Sequence, residues 1–202
     1  MNRDFGTAVI LAGGNRKTSR EHRREMCTYI VGQLQQIFSD VLIISDTPWV
    51  YENMSVRIEE DLKPNHGPMG GIYTAMKYSI TKYVYVLACD MPIINEEYIS
   101  YMLGVLSMEE ADACVTLNQG WVEPFNAFYS TDLFYSLEDS MAKGENSMYN
   151  FLGKQRAIIV PEETARFYDQ DLAMFKDLET FEEYGQFKRG KLSDTKGKKL
   201  WL

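Results

Sequence analysis

Histidine is nearly absent from this chain. His22 and His66 are the only two in 202 residues, so a zinc site built on several imidazoles is excluded. Cysteine is almost as scarce. Cys27, Cys89 and Cys114 match no metal-ligand spacing and no disulfide framework. A scattered odd set suits a reducing compartment, and the cytoplasm is the expected location. No apolar run approaches the roughly 20 residues needed to span a bilayer, so no membrane partner is expected. The first apolar stretch is short and ends in Gly13-Gly14, without the longer apolar region and cleavage site of a secretory signal. Basic residues are in deficit, 21 against 29 acidic ones. The net charge of −8 argues against nucleic acid as a partner.

Basic charge is nonetheless concentrated in two places. One is the segment that follows the first glycines, with Arg16, Lys17, Arg20, Arg23 and Arg24. The other is the C-terminus, where Lys188 to Leu202 holds six basic residues and one acid and leaves −13 on the rest of the chain. That end reads as a solvated tail or as an arm that reaches an anionic ligand or a partner subunit. The length fits one domain, expected over residues 1–187, with a basic tail over 188–202.

Apolar patterning supplies the elements. Val9 to Ala12, Val41 to Ile44, Val56 to Ile58, Tyr83 to Ala88, Ala113 to Leu117, Phe125 to Tyr129 and Ala157 to Val160 read as strands. Helical spacing begins near Met26, with Ile30 and Leu34 on one face. Further helices are expected over Ile72 to Tyr78, after Asn95 as a cap, over Thr131 to Met141, and over Leu178 to Phe187 with Thr180 as a cap. Alternating strands and helices predict an α/β fold of three layers, with a mainly parallel sheet between helices. Ligands of such sheets bind beyond the carboxyl ends of the strands.

The pointed residues fall at such ends. Gly13 and Gly14 allow a tight turn whose N–H groups can face a phosphate or a base edge, and clustered basic residues follow. The spacing is neither the P-loop nor the dinucleotide fingerprint, and a plain strand-to-helix turn gives the same glycines. Asp90 closes an apolar strand before Met91-Pro92. A carboxylate there suits Mg²⁺ bridging to phosphates, or equally a turn-capping role. Asp61 and the turn Gly67-Pro68-Met69-Gly70-Gly71 suit contact with a nucleoside, or the packing of a loop. Trp121, beside Gly120, either stacks on a ring or packs in its loop.

Taken together these segments resemble the molybdenum cofactor guanylyltransferases, members of the nucleotidyltransferase superfamily with a Rossmann-like fold. Ala8-Val9-Ile10-Leu11-Ala12-Gly13-Gly14 is similar to the opening nucleotide-binding strand and loop. Asp61 with Gly67 to Ile72 resembles the guanine-side segment. Ala88-Cys89-Asp90-Met91-Pro92 resembles the magnesium segment, Glu123 to Tyr129 the strand facing the acceptor, and Phe175 to Glu183 the closing Asn-x-Asn-Thr-Pro-Glu element. The resemblance implies an enzyme that transfers GMP from GTP to molybdopterin and releases pyrophosphate. It implies nucleotide contacts from Leu11, Ala12, Gly13, Gly14, Arg23, Asp46, Asp61 and Gly70, with Mg²⁺ on Asp90. Arg20, Arg23 and Asp90 would be catalytic, and cofactor-delivery or molybdoenzyme chaperone partners are implied as well.

This chain departs from the family in the basic loop. The family's Arg, Gly and Lys positions fall on Thr18, Arg20 and Arg23, and Arg is not a substitute for Lys at a phosphate. Asp177 and Glu179 stand where the closing element has Asn. A relative that uses CTP or a sugar-phosphate acceptor, or a non-catalytic paralogue that binds nucleotide or cofactor, therefore stays open beside guanylyl transfer.

Overall fold

A computed structural model describes residues 4–13, 19–178 and 181–189. Gly14, Arg16, Lys17 and Thr18 of the first loop, the expected cap Thr180 and nearly all of the basic tail lie outside the described residues. Seven strands form one sheet: β1 (Gly6–Leu11), β2 (Asp40–Ser45), β3 (Arg57–Glu60), β4 (Tyr83–Ala88), β5 (Ala113–Asn118), β6 (Trp121–Ser130) and β7 (Ala157–Val160). Their order across the sheet is β3-β2-β1-β4-β6-β5-β7. Strand β6 runs antiparallel to β4 and β5, and every other pair is parallel.

Side-chain alternation divides the core into two layers. Ala8 and Ile10 of β1, with Tyr85 and Leu87 of β4, meet Cys27, Ile30 and Leu34 of helix α1 (Arg20–Ile37) and Tyr98, Met102 and Leu106 of α3 (Glu96–Glu109). Val9, Leu42, Val84 and Val86 face the other way. They meet Ile72 and Met76 of α2 (Gly67–Tyr78), Leu137 of α4 (Phe134–Ala142) and Phe151 of α5 (Met148–Leu152). Strand β4 is buried along its whole length, as a central parallel strand covered on both faces must be. The three-layer α/β architecture with a mainly parallel sheet is thus the observed one. Two further helices, α6 (Glu162–Tyr168) and α7 (Phe181–Lys188), complete it.

Several boundaries differ from the sequence reading. Helix α1 begins at Arg20, not near Met26. Ser19 Oγ accepts the His22 N–H at 3.2 Å and caps a first turn whose charged residues carry no apolar spacing. Helix α2 begins at Gly67, with Pro68 in its first turn, where a missing N–H costs nothing. The segment after β6 opens as a 3₁₀ turn over Thr131–Leu133, and its cap is Ser130, whose Oγ accepts the Asp132 N–H at 3.2 Å. Helices α5 and α6 span five and seven residues, too few for a helical period to show in the sequence.

Strand β6 carries the one large irregularity of the β5–β6 pairing. Cys114 pairs with Phe128, yet two residues on Thr116 pairs with Glu123, so β6 bulges across Pro124 to Asn126. Proline has no N–H to give the ladder, and Asn126 takes φ 50°, a conformation that asparagine tolerates better than most residues. The buried Asn126 amide is fully used. Tyr85 Oη donates to its Oδ1 at 2.6 Å, and its Nδ2 donates to the Met174 carbonyl at 2.6 Å.

Candidate functional site

Four parallel strands end on one edge of the sheet, and each is followed within two residues by a residue singled out from the sequence. Gly13 follows β1, Asp46 follows β2, Asp61 follows β3 and Asp90 follows β4. Register fixes their order. Leu11 pairs with Ile44 on one side and with Ala88 on the other, and Ser45 pairs with Glu60. Adjacent strands lie about 4.8 Å apart, so the glycine turn and the Asp90 loop leave the sheet side by side. The Cys89 N–H donates to the Leu11 carbonyl at 3.0 Å and ties the two loops together. On the other flank, a Cβ added to Gly13 would stand 3.7 Å from Asp46 Oδ1.

The glycine turn is held by groups that the sequence reading passed over. The Ala12 N–H donates to the Ile44 carbonyl at 2.8 Å. The Ala12 carbonyl accepts from Ser45 Oγ at 3.0 Å and from the buried Tyr51 hydroxyl at 3.3 Å. The polar backbone of Ala12 is therefore engaged by the fold, and this fixes where Gly13 starts. Nothing in the local sequence around Tyr51 signals this contact.

Arg20 and Arg23 stand in the first turns of α1, which follows the loop. A helix N-terminus favours negative charge, so cations there do not serve the helix. They suit an anion bound at the loop. Arg20 is exposed, whereas Arg23 is buried with 8% of its surface accessible. The positive charge of Arg23 acts on both Tyr51 and Cys89. Contact with the Cys27 thiol, reinforced by burial, pushes the Cys89 thiol well up, so it stays protonated and is no nucleophile. Burial likewise pushes Cys114 up to about 12.

Asp61 and Gly70 carry more local structure than the sequence suggests. Asp61 Oδ1 accepts the Lys63 N–H at 3.0 Å and lies 3.0 Å from the Thr74 hydroxyl. That hydroxyl accepts from the Leu62 N–H at 3.1 Å and has the Gly70 carbonyl as a second acceptor at 3.0 Å. A Cβ on Gly70 would fall 2.1 Å from the Lys63 carbonyl, and one on Gly71 would fall 2.5 Å from Leu11 Cδ1. Both glycines let α2 press against the Asp61 loop and the end of β1, and this packing accounts for their lack of side chains.

Asp90 is half-buried, and its carbonyl accepts the Leu178 N–H at 2.7 Å. Together with the Asn126 bond to Met174, this lays the segment from Met174 to Leu178 across the end of β4. Asp177 is thereby brought beside the same loop, while Glu179 lies outside the described residues. No group of three or more His, Cys, Asp or Glu side chains able to hold a metal occurs among the described residues. One carboxylate at a strand end still fits Mg²⁺, which keeps several waters and takes substrate phosphate oxygens as ligands. No helix among the described residues is long and apolar enough to cross a membrane.

The sequence pattern of the MobA-like NTP transferase domain matches residues 8–158, which hold the glycine turn and Asp90. A protein of Syntrophotalea carbinolica named "Molybdenum cofactor guanylyltransferase" is 38% identical over 192 residues, 92% of this chain and 91% of its own length. A protein of Peptoclostridium acidaminophilum named "Probable molybdenum cofactor guanylyltransferase" is 32% identical over 91% of this chain and 88% of its own. Among solved structures, the molybdopterin-guanine dinucleotide biosynthesis protein A of Archaeoglobus fulgidus superposes with a TM-score of 0.75, covering 92% of this chain and 100% of that one. Its 18% identity makes it a likeness of fold. Sequence pattern, near full-length relatives and fold agree, and the chain belongs to the MobA-like NTP transferase domain family, as an enzyme of the nucleotidyltransferase class.

Proposed function

We propose that the chain transfers GMP from GTP to molybdopterin, with Mg²⁺ as cofactor, in the cytoplasm. The observation that carries this reading is the placing of Gly13 and Asp90 on adjacent strand ends, with Arg20 and Arg23 on the helix that follows. The names of the two near full-length relatives support GTP and the molybdenum cofactor as the substrates. The three cysteines are free and buried, as a reducing compartment allows.

In this reading the Gly13 backbone approaches the phosphates, and Arg20 and Arg23 offset their charge. Asp46, Asp61 and Gly70, in the first turn of α2, border the nucleoside, with Leu11 at the end of β1 beside them. Asp90 holds Mg²⁺, which when bound would draw electron density from the phosphoryl oxygens and stabilise the developing charge. A terminal phosphate oxygen of the acceptor attacks the α-phosphorus in line. The bond to the bridging oxygen breaks, and pyrophosphate leaves with the electron pair. The nucleophile is already an anion, so no general base is required, and the protein contributes position and charge.

A thermal-shift series with GTP, CTP, ATP and UTP, each with and without Mg²⁺, tests the ligand. Saturation near 100 times Kd stabilises by about 2.7 kcal/mol, roughly 5–10 °C for a chain of this size. A selective shift with GTP and Mg²⁺ is expected. A shift with CTP alone would replace the base, and no shift with any nucleotide would overturn the reading.

A further inference from the structure

Trp121 is the first residue of β6 and 75% exposed, so it adds little to the core. The turn that presents it has a defined form and an outside contact. Gln119 and Gly120 take φ 52° and φ 82°, the two positive values of a tight two-residue hairpin turn. The Gln119 N–H donates to Glu162 Oε2 at 2.7 Å. The other oxygen of Glu162 receives two N–H groups of Arg166, at 2.9 and 2.7 Å. The hairpin tip is thus held from outside, and it presents an exposed indole.

Register places this tip at the site. Phe128 pairs with Tyr85 of β4 and with Cys114 of β5, so those two residues stand at one level of the sheet. Strands β4 and β5 run the same way. Four residues further on lie Cys89, next to Asp90, and Asn118, the cross-strand partner of Trp121. The hairpin tip thus stands at the same carboxyl end of the sheet as the Asp90 loop. Cross-strand partners share a face. Thr116, whose hydroxyl lies 2.6 Å from that of Tyr98 in α3, pairs with Glu123, and Trp121 lies on that same face two residues away. Glu123 is held in place, since its Oε1 accepts the Phe125 N–H at 3.3 Å.

We propose that this hairpin receives the flat ring system of the acceptor, with the Trp121 indole stacked on the bicyclic pterin and the Glu123 carboxylate accepting N–H groups from its aminopyrimidinone edge. The assignment rests on the crevice being the nucleotidyl-transfer site. An aromatic face with a carboxylate about two residues along one strand face matches a planar heterocycle that carries donors on one edge.

The test measures transfer from GTP to molybdopterin at varied acceptor concentration in the wild type, Trp121→Ala, Trp121→Phe and Glu123→Gln, with the GTP thermal shift recorded beside it. Loss of a stacked ring raises the acceptor KM roughly 5- to 100-fold in Trp121→Ala while the GTP shift stays as in the wild type. Phe at 121 recovers most of this, and Glu123→Gln gives a smaller rise. An unchanged acceptor KM in Trp121→Ala overturns the proposal. A wild type without any GTP shift would instead overturn the nucleotide reading. The pterin platform would still be decided by neopterin titration of a Trp49→Phe, Trp201→Phe variant, whose remaining tryptophan is Trp121. Saturable fluorescence quenching supports the platform, and no quenching rejects it.

Discussion

The two ends of the sheet handle polar groups in opposite ways. At the amino end, Asp40 opens β2, and its Oδ2 accepts the Thr7 hydroxyl and the Arg57 guanidinium, both at 2.9 Å. The Thr7 hydroxyl oxygen lies 3.0 Å from that of Thr81 and 3.1 Å from that of Ser79. Each charge there has its opposite, and the network closes on itself. At the carboxyl end, Asp46, Asp61 and Asp90 leave neighbouring strands, while Arg20 and Arg23 sit at the positive end of a helix. Cations at the positive end of a helix dipole work against that dipole. In the proposed reading, a nucleotide with its metal would bring both signs of charge to this edge. The closed end serves the fold, and the carboxyl end is the one that the proposed reading gives to a ligand.

The largest effect expected from this contrast lies in Asp90→Asn. The change keeps the shape and the Leu178 N–H bond to the backbone carbonyl, and removes the charge that would hold the metal. Pyrophosphate release with GTP, Mg²⁺ and molybdopterin is expected to fall by about 100-fold or more, with an unchanged or slightly raised Tm. Turnover at the wild-type rate would break the comparison at its functional end.

Next in size is the glycine pair of α2. A methyl group at Gly70 meets a backbone carbonyl at 2.1 Å, whereas at Gly71 it meets the end of the Leu11 side chain at 2.5 Å. Backbone yields less readily than a side chain. Gly70→Ala is therefore expected to cost about 3 kcal/mol and Gly71→Ala about 1–2 kcal/mol, read as Tm losses by calorimetry. The reverse ranking would show that the Asp61 loop gives way more easily than the end of β1.

At the closed end, Asp40→Asn leaves the Arg57 charge without its partner in a part-buried setting, with side-chain exposures of 36% and 13% for the pair. A loss of about 1–2 kcal/mol is expected, with kcat/KM for transfer within about twofold of the wild type. A large change in turnover with stability intact would show that the two ends are coupled.

The sequence was most legible where burial is continuous. Tyr83 to Ala88 reads as a strand because both of its faces are covered, and Gly13 and Asp90 stand out because polarity returns abruptly at its end and at the end of β1. Legibility failed where distant groups decide. The engagement of the Ala12 carbonyl by Ser45 and Tyr51, and of Asp61 by Thr74, depends on loops that meet only after folding. The start of α1 was hidden because Arg20 to Arg24 is polar throughout and carries no apolar spacing. Asn126 showed only as a polar residue inside an apolar strand, which does not reveal that it clasps Met174.

The smallest effect concerns the hairpin tip, which belongs to the carboxyl edge by position and to the closed end by construction. The Gln119 N–H, and after it Arg166, hold the Glu162 carboxyl below the usual carboxylate range. A depressed folded value means that the bond's contribution is fully present above the ordinary carboxylate pKa and is lost as the pH falls through the lowered one. Glu162 is close to the surface, so global stability should scarcely register the change. Hydrogen exchange at the Gln119 amide should register it, with protection lost as the Glu162 carboxylate is protonated and absent at all pH values in Glu162→Ala, which has no acceptor there. The tip presents Trp121, so a tip released in Glu162→Ala should also raise the acceptor KM a few-fold without altering kcat. Protection that persists in the variant would mean that the turn is rigid by its backbone alone, and the carboxylate would then belong to surface charge rather than to the site.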